Sequence, residues 1–407
     1  MSKMIIVGTG ASAAIDLSRF PTMDNFFQGI LVCAKSDEDK RLIANFLSIL
    51  DYERIFTNKD IKCENLAAQW SLFMPPNRLS TYDNEYKINL RDRYLEALRN
   101  RFSNKHITEN LEILLDRSLN VSSGSSFSST LYMLNWLLGY RDVDIEKKSD
   151  DLYHKLFDRF IGDEKQCSLV SFNYDLLLDC SLISWLKKTT DITDKDIKSL
   201  LTRCDSLQGF LNPSDISIFD HSIGGIFSPT PSPQVFSNHG NGNFSRLRLI
   251  KPHGSLAFTK INENKETYLL LNDGNFVPFP PVHQAFDHHA RHLQPLIVPP
   301  TQNKIKSHPI LFEAERHFIE KLSSPDTRRV VVIGWSLPPT DKDHDNIIRQ
   351  CISNRAQQIE ELIVIDLKLE RKEKDPHFDR MESIFRPKVV KKCWEGFNEE
   401  SVERYII

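Results

Sequence analysis

Few folds accommodate six short, mostly apolar runs that each stop at a turn: Met4–Val7, Cys167–Phe172, Leu247–Lys251, Pro295–Val298, Val330–Ile333 and Leu362–Ile365. Several are rich in β-branched residues, and helical segments separate several of them. Apolar runs of about four to eight residues suit strands buried on both faces, as in a parallel sheet. A parallel sheet with crossover helices is an α/β architecture, here expected as a Rossmann-like doubly wound sheet.

The first of these runs stands far from the rest. Helical spacing marks Thr22–Leu31, Glu38–Leu50, Leu90–Phe102, Thr108–Leu119, Thr130–Leu138 and Asp150–Phe160, and no strong strand is legible between about residues 40 and 165. Thr108 is the expected N-cap of its helix, with Glu109 and Glu112 near the start, and a Ser/Gly-rich loop spans 120–129. The chain of 407 residues exceeds the ~250–300 at which single cores stop growing. The expected organisation is therefore a Rossmann domain of residues 1–30 and 166–407, interrupted by a helical insertion module at 31–165. Residues 209–242, rich in Gly, Pro, Ser and Asn, read as a long loop.

Turns follow several of the strands. Gly8-Thr9-Gly10-Ala11-Ser12-Ala13 fits the pattern in which glycines let the backbone approach a pyrophosphate at a helix N-terminus. The plain alternative is a tight strand-to-helix turn. An acidic ribose partner about 20 residues on is not evident, which argues against a dehydrogenase. In Ser171-Phe172-Asn173-Tyr174-Asp175, Asn173 and Asp175 offer an amide and a carboxylate just past a strand, where open α/β sheets bind ligands. They orient a water and ribose hydroxyls, or they cap the helix that Leu176–Leu178 begins. His253, in Lys251-Pro252-His253-Gly254-Ser255, places a base of near-neutral pKa at the same edge. A satisfied structural histidine is the alternative there. Gly334-Trp335-Ser336-Leu337 supplies a second close backbone approach and a hydroxyl, and Asp366 a carboxylate for a ribose or for a helix cap.

Other chemistry is disfavoured. The net charge of −3 gives no bulk grip on nucleic acid, and basic stretches such as 367–374 are interleaved with acids. Seven cysteines at 33, 63, 167, 180, 204, 351 and 393 form no CxxC pair, so neither a zinc ribbon nor a compact disulfide framework is expected. His283, His288, His289 and His292 cluster without an HExxH motif and read as a polar face, not a metal site. Met1 leads directly into a strand without a signal-peptide pattern, and no apolar stretch approaches the ~20 residues of a bilayer span. A reducing, cytoplasmic setting is expected.

In this order, the turns at Gly8–Ser12, Ser171–Asp175, His253-Gly254 and Gly334–Leu337 resemble those of the sirtuin-like NAD-hydrolase domains of bacterial anti-phage defence proteins. Val298-Pro299-Pro300-Thr301 and Pro338-Pro339-Thr340-Asp341 are similar to the same branch. The resemblance covers about residues 1–30 and 165–395. It departs from protein-deacylating sirtuins in lacking four zinc cysteines. It also lacks the arginine that would follow the glycine turn, at Phe20-Pro21-Thr22-Met23-Asp24-Asn25-Phe26.

The resemblance implies a glycohydrolase that consumes NAD as a substrate and needs no metal. Asn173 would place the water, Asp175 hold ribose or support positive charge, and His253 act as general base. Gly8, Thr9, Gly10, Ala11 and Ser12 would take the pyrophosphate, with Gly334, Ser336 and Asp366 toward the adenosine. It also implies an abortive-infection role, an off-state set by self-association or a partner, and a HerA-type ATPase, an Argonaute-like protein or a phage protein as that partner. A lysine deacylase and a non-catalytic NAD or ADP-ribose sensor are the alternatives.

Overall fold

The computed structural model describes residues 2–17, 20–22, 25–52, helical positions within 91–138, and 143–161, 167–189, 217–220, 247–261, 267–272, 275–276, 293–298, 309–335, 337, 342–366 and 376–406. The chain folds as two compact units, one of residues 1–15, 141–298 and 304–407, the other of residues 16–140 and 299–303.

The first unit is mixed α/β. Its strands are β1 (Ser2–Val7), β2 (Cys167–Ser171), β3 (Ser217–Asp220), β4 (Leu247–Ile250), β5 (Gly254–Ile261), β6 (Thr267–Asn272), β7 (Asn275–Phe276), β8 (Leu293–Ile297), β9 (Thr327–Ile333), β10 (Glu361–Ile365) and β11 (Val389–Cys393). Among the described residues the bounded helices are α1 (Thr9–Ile15), α2 (Phe26–Cys33), α3 (Asp37–Tyr52), α4 (Val143–Ile161), α5 (Leu177–Thr189), α6 (Pro309–Ser323), α7 (Lys342–Ser353), α8 (Pro376–Phe385) and α9 (Glu399–Tyr405). Among them, no helix of the described residues is long and apolar enough to cross a membrane.

Six strands form one sheet in the order β4-β2-β1-β9-β10-β11, every neighbouring pair parallel. Counted by its own strands the order is 3-2-1-4-5-6, compatible with a Rossmann-like fold. The apolar runs are continuous because both faces are covered. Met4, Ile6, Val330, Val332, Leu362 and Val364 pack with Phe318 of α6, Ile348 of α7 and Met381 and Phe385 of α8. The intervening Ile5, Val7, Val331, Ile333 and Ile363 are equally buried. On their side, Lys3 lays Nζ 5.4 Å from the ring centre of Phe160 on α4. Each such fully buried side chain contributes ~1.5–3 kcal/mol before chain entropy is subtracted.

The strand expectations change at several points, and β5, β6 and β7 match no expected run. Pro295–Val298 is not part of the parallel sheet. The strand there, β8, lies at the edge of a second, five-stranded sheet ordered β3-β6-β5-β8, with β7 on β6. Proline has no N–H for a ladder on both sides, so Pro295 suits an edge. β11 was missed because its run, Val389-Val390-Lys391-Lys392-Cys393, is half polar, as an edge strand permits. Residues 217–220, inside the expected loop at 209–242, are β3, and the rest of that span lies outside the described residues. Between residues 40 and 165 all described secondary structure is helical, and α4 begins seven positions before the expected Asp150. The expected Thr108 cap lies outside the described residues.

In the second unit, α2 presents Gly29 to Pro21. A Cβ at Gly29 would lie 2.7 Å from Pro21 Cγ, so the contact requires glycine. Buried Arg91 donates through Nη2 to Asp37 Oδ1 at 3.0 Å, which ties its helix to the start of α3.

Candidate active site

The parallel register brings the strand ends level. Val7 is opposite Ser171 and Ile333, Val170 is opposite Ile250, and Ile333 is opposite Ile365. Gly8, Asn173, Lys251 to His253, Gly334 and Asp366 therefore follow one another along one carboxyl edge. β1 is the strand from which the order departs in both directions, and that crevice is where open α/β sheets take ligands.

At its centre two turns interlock. Gly10 N donates to Gly334 O at 2.8 Å, Ala11 N to Gly8 O at 2.9 Å, and Gly8 N to Ile333 O at 2.9 Å. Gly334 adopts φ +57°, and a Cβ there would lie 2.2 Å from Ala11 N. At Gly8 the added carbon would meet Trp335 Cα at 2.5 Å. The glycine pattern thus has a packing cause of its own, backbone against backbone. Of the turn residues Gly8–Ser12, Thr9 alone is partly exposed.

Ser12 turns inward and is fully buried. Its hydroxyl donates to Asp175 Oδ2 at 2.8 Å and accepts from Asn173 Nδ2 at 2.9 Å. Asn173 Nδ2 also donates to Gly8 O at 3.0 Å. Asn173 Oδ1 is buried and has no hydrogen-bond partner among the described residues. A buried acceptor left in that state costs about 1–3 kcal/mol. Asp175 accepts from Leu177 N through Oδ1 at 3.1 Å. That bond is the capping role at the start of α5, so the capping alternative and membership of the cluster both hold for this residue. Burial pushes the Asp175 carboxyl above its ordinary value, and the nearby Lys251 charge and the Ser12 hydrogen bond pull against that. Tyr153 of α4 faces the same group. Burial first, and the Asp175 charge second, raise its phenol well above the usual range.

Behind Asp175, Lys251 Nζ donates to Asp179 Oδ2 at 2.9 Å, to Asp179 Oδ1 at 3.1 Å and to the Asp175 carbonyl at 2.9 Å. Beside Asn173, Phe172 stacks on Trp335 with centroids 4.2 Å apart and planes 6° apart. His253 meets the Phe172 ring edge-on at 4.9 Å, and His344 of α7 meets it at 5.0 Å. The two imidazoles are 4.9 Å apart, centroid to centroid. The His253 carbonyl accepts from Val298 N at 2.8 Å, and Tyr174 Oη donates to Val298 O at 2.6 Å. Gly254, at φ +80°, turns the chain from this edge into β5. Leu337 ends the Gly334 turn at φ +42°, a conformation that carries strain in a branched residue.

Gly8, Gly10, Ala11, Ser12, Asn173, Asp175 and Gly334 are thus one hydrogen-bonded assembly, and His253 joins it through Phe172. Asp366 stands two strands from β1, 8% exposed, with Oδ2 3.3 Å from His377 Nε2. Ser336 and the histidines at 283, 288, 289 and 292 lie outside the described residues. Sequence reading gave no role to Lys251, Asp179, Tyr153, Trp335 or His344. Asp179 follows Asp175 by four residues, one helical turn, which was the available signal. His344 had none, because nothing in the sequence links α7 to β2. No family model matches this chain, and no curated protein matches it.

Proposed function

We propose that the protein is an NAD glycohydrolase, cleaving NAD to nicotinamide and ADP-ribose on a sirtuin-like Rossmann domain. The observation that carries this reading is Asn173. Its amide nitrogen is committed to Gly8 and Ser12, and its buried Oδ1 is left to accept a hydrogen bond from a bound molecule.

NAD lies along the strand-end row, with its pyrophosphate at Gly8–Ser12 and its adenosine toward Gly334, Ser336 and Asp366. The amides of Gly10 and Ala11 already serve the protein, so the turn acts by close backbone approach and through Thr9. Departure of nicotinamide leaves an oxocarbenium-like ribosyl centre, as in glycoside cleavage. Asn173 Oδ1 orients the attacking water. His253 takes a proton from a ribose hydroxyl or from that water. Asp175, with both oxygens held by Ser12 and Leu177, supports the developing positive charge from behind.

The test is direct. Purified protein, at low and high concentration, is incubated with NAD and the products are separated chromatographically. Nicotinamide plus ADP-ribose from the wild type, absent with Asn173→Ala, is expected. Acetyl-ADP-ribose formed only with an acetylated peptide would indicate a deacylase instead.

A second reading, an NAD or ADP-ribose sensor, is favoured by one observation: Asn173, Asp175 and His253 are all at most 6% exposed. It predicts binding without turnover at any concentration. Under the hydrolase reading the same burial marks an off-state, released by self-association or by a defence partner such as a HerA-type ATPase, an Argonaute-like protein or a phage protein.

A further inference from the structure

We propose that the Lys251–Asp179 ion pair is the positioning device of this site, a role that rests on the NAD-cleavage reading for its catalytic consequence. Both side chains are completely buried. Taking an ammonium and a carboxylate out of water is costly, and apolar residues of the same volume commonly serve stability at least as well. What a buried pair supplies that they cannot is directed hydrogen bonding.

Here the direction is explicit. Two Nζ donors grip both oxygens of Asp179 on α5, and the third reaches the main-chain carbonyl of Asp175. Lys251 is two residues before His253, in the turn that Gly254 N closes onto Lys251 O at 2.9 Å. Asp175 is two residues after Asn173. One ammonium therefore joins the turn that carries the histidine to the strand end that carries the asparagine. The Leu256 N to Tyr174 O bond of 3.1 Å fastens the same two segments further along. Neither charged group touches the reacting position. They fix the separation of Asn173 from His253 and the side-chain direction of Asp175.

The test uses the full-length chain and the double variant Lys251→Met/Asp179→Leu, which removes both charges at similar volume. The expected result is a retained cooperative unfolding transition, a KM for NAD within about threefold of wild type, and a kcat reduced at least ~30-fold. Backbone hydrogen exchange should accelerate at residues 173–177 and 254–256 while the β1, β9 and β10 amides keep their protection. Wild-type kcat with unchanged exchange overturns the proposal. So does a loss confined to KM, because that would make the pair a binding element. If the double variant does not fold, Asp179→Asn, which keeps the shape but replaces one of the two oxygens that accept from Nζ by an NH2 donor, is read on the same two scales with the same expectations. If the wild type turns over no NAD under any condition, the hydrolase reading fails by itself. The positioning role is then decided by exchange alone, where local acceleration supports it and unchanged protection overturns it.

Discussion

Ser12 and Asp175 lie 163 positions apart in the chain and share a 2.8 Å hydrogen bond, and the hydroxyl that makes it also receives the Asn173 amide. Replacing Ser12 by Ala removes one of two donors to a buried carboxylate and one of two acceptors of a buried amide. The expected cost is about 1–3 kcal/mol of stability. Urea unfolding measures it, and a variant as stable as wild type would mean that the bond contributes nothing net.

The Gly334 turn tolerates no side chain. A Cβ there is both too near Ala11 N and on the wrong side of the backbone map. Gly334→Ala is expected to lose at least ~2 kcal/mol, or not to accumulate as folded protein. Gly8→Ala should behave likewise from contact with Trp335 and the Gly334 carbonyl. Thermal melts decide both, and a Tm within a degree of wild type would contradict the interlocked turns.

Burial of Asp175 sets a pH signature. Its carboxyl is raised above the ordinary 3.8, so the folded state holds the proton more tightly than the unfolded chain does. Its contribution is fully present below the unfolded value and is lost as pH rises through the folded one. The stability of wild type minus that of Asp175→Asn should fall across that window, by at most ~1.4 kcal/mol per pH unit. Denaturation of the two proteins in parallel from pH 3.5 upward tests the sign, and a difference that grows with pH would refute it.

Cys393 is expected to be inert. Burial, and then a hydrogen bond to Glu395, push its thiol up to about 12. At pH 8 the thiolate is then a fraction of about one in ten thousand. Alkylation read by peptide mass spectrometry should spare Cys393 in the folded protein and label it in urea. Rapid labelling under native conditions would contradict the placement of β11.

Asn173→Ala and His253→Ala are expected to reduce nicotinamide release by a factor of ~10²–10⁴ each, with the melting transition preserved. Either variant at wild-type turnover would remove that residue from the mechanism.

Much of the parallel sheet was legible because a strand buried on both faces has nowhere to place a polar residue. Met4–Val7, Val330–Ile333 and Leu362–Ile365 therefore announce themselves, and the turns after them follow by adjacency. Edges are different. β11 follows two valines with two lysines, and β8 contains a proline, so neither carries that signature, and the run Pro295–Val298 reads as a strand of the wrong sheet. The site was legible where it is local, as at Asn173 and Asp175 around one tyrosine. It was not legible where it depends on a distant partner. Nothing in the sequence near Lys251 says that its ammonium reaches Asp179. The sequence around Ser12 likewise does not say that the serine faces a strand end instead of a phosphate.

The place of β1 in the middle of its sheet also bears on how the protein is made. Met4 leaves the ribosome before both of its neighbours, Ser168 and Val330. The second of these is polymerised about 15–65 s later at ordinary elongation rates. For that interval an apolar segment with open hydrogen-bonding edges on both sides is carried by a nascent chain. Slow, long-range closure of this kind exposes a chain to aggregation and to chaperone capture. It also means that any truncation before β9 leaves the Gly8 turn without the Gly334 turn that shapes it, so premature fragments carry an unformed crevice.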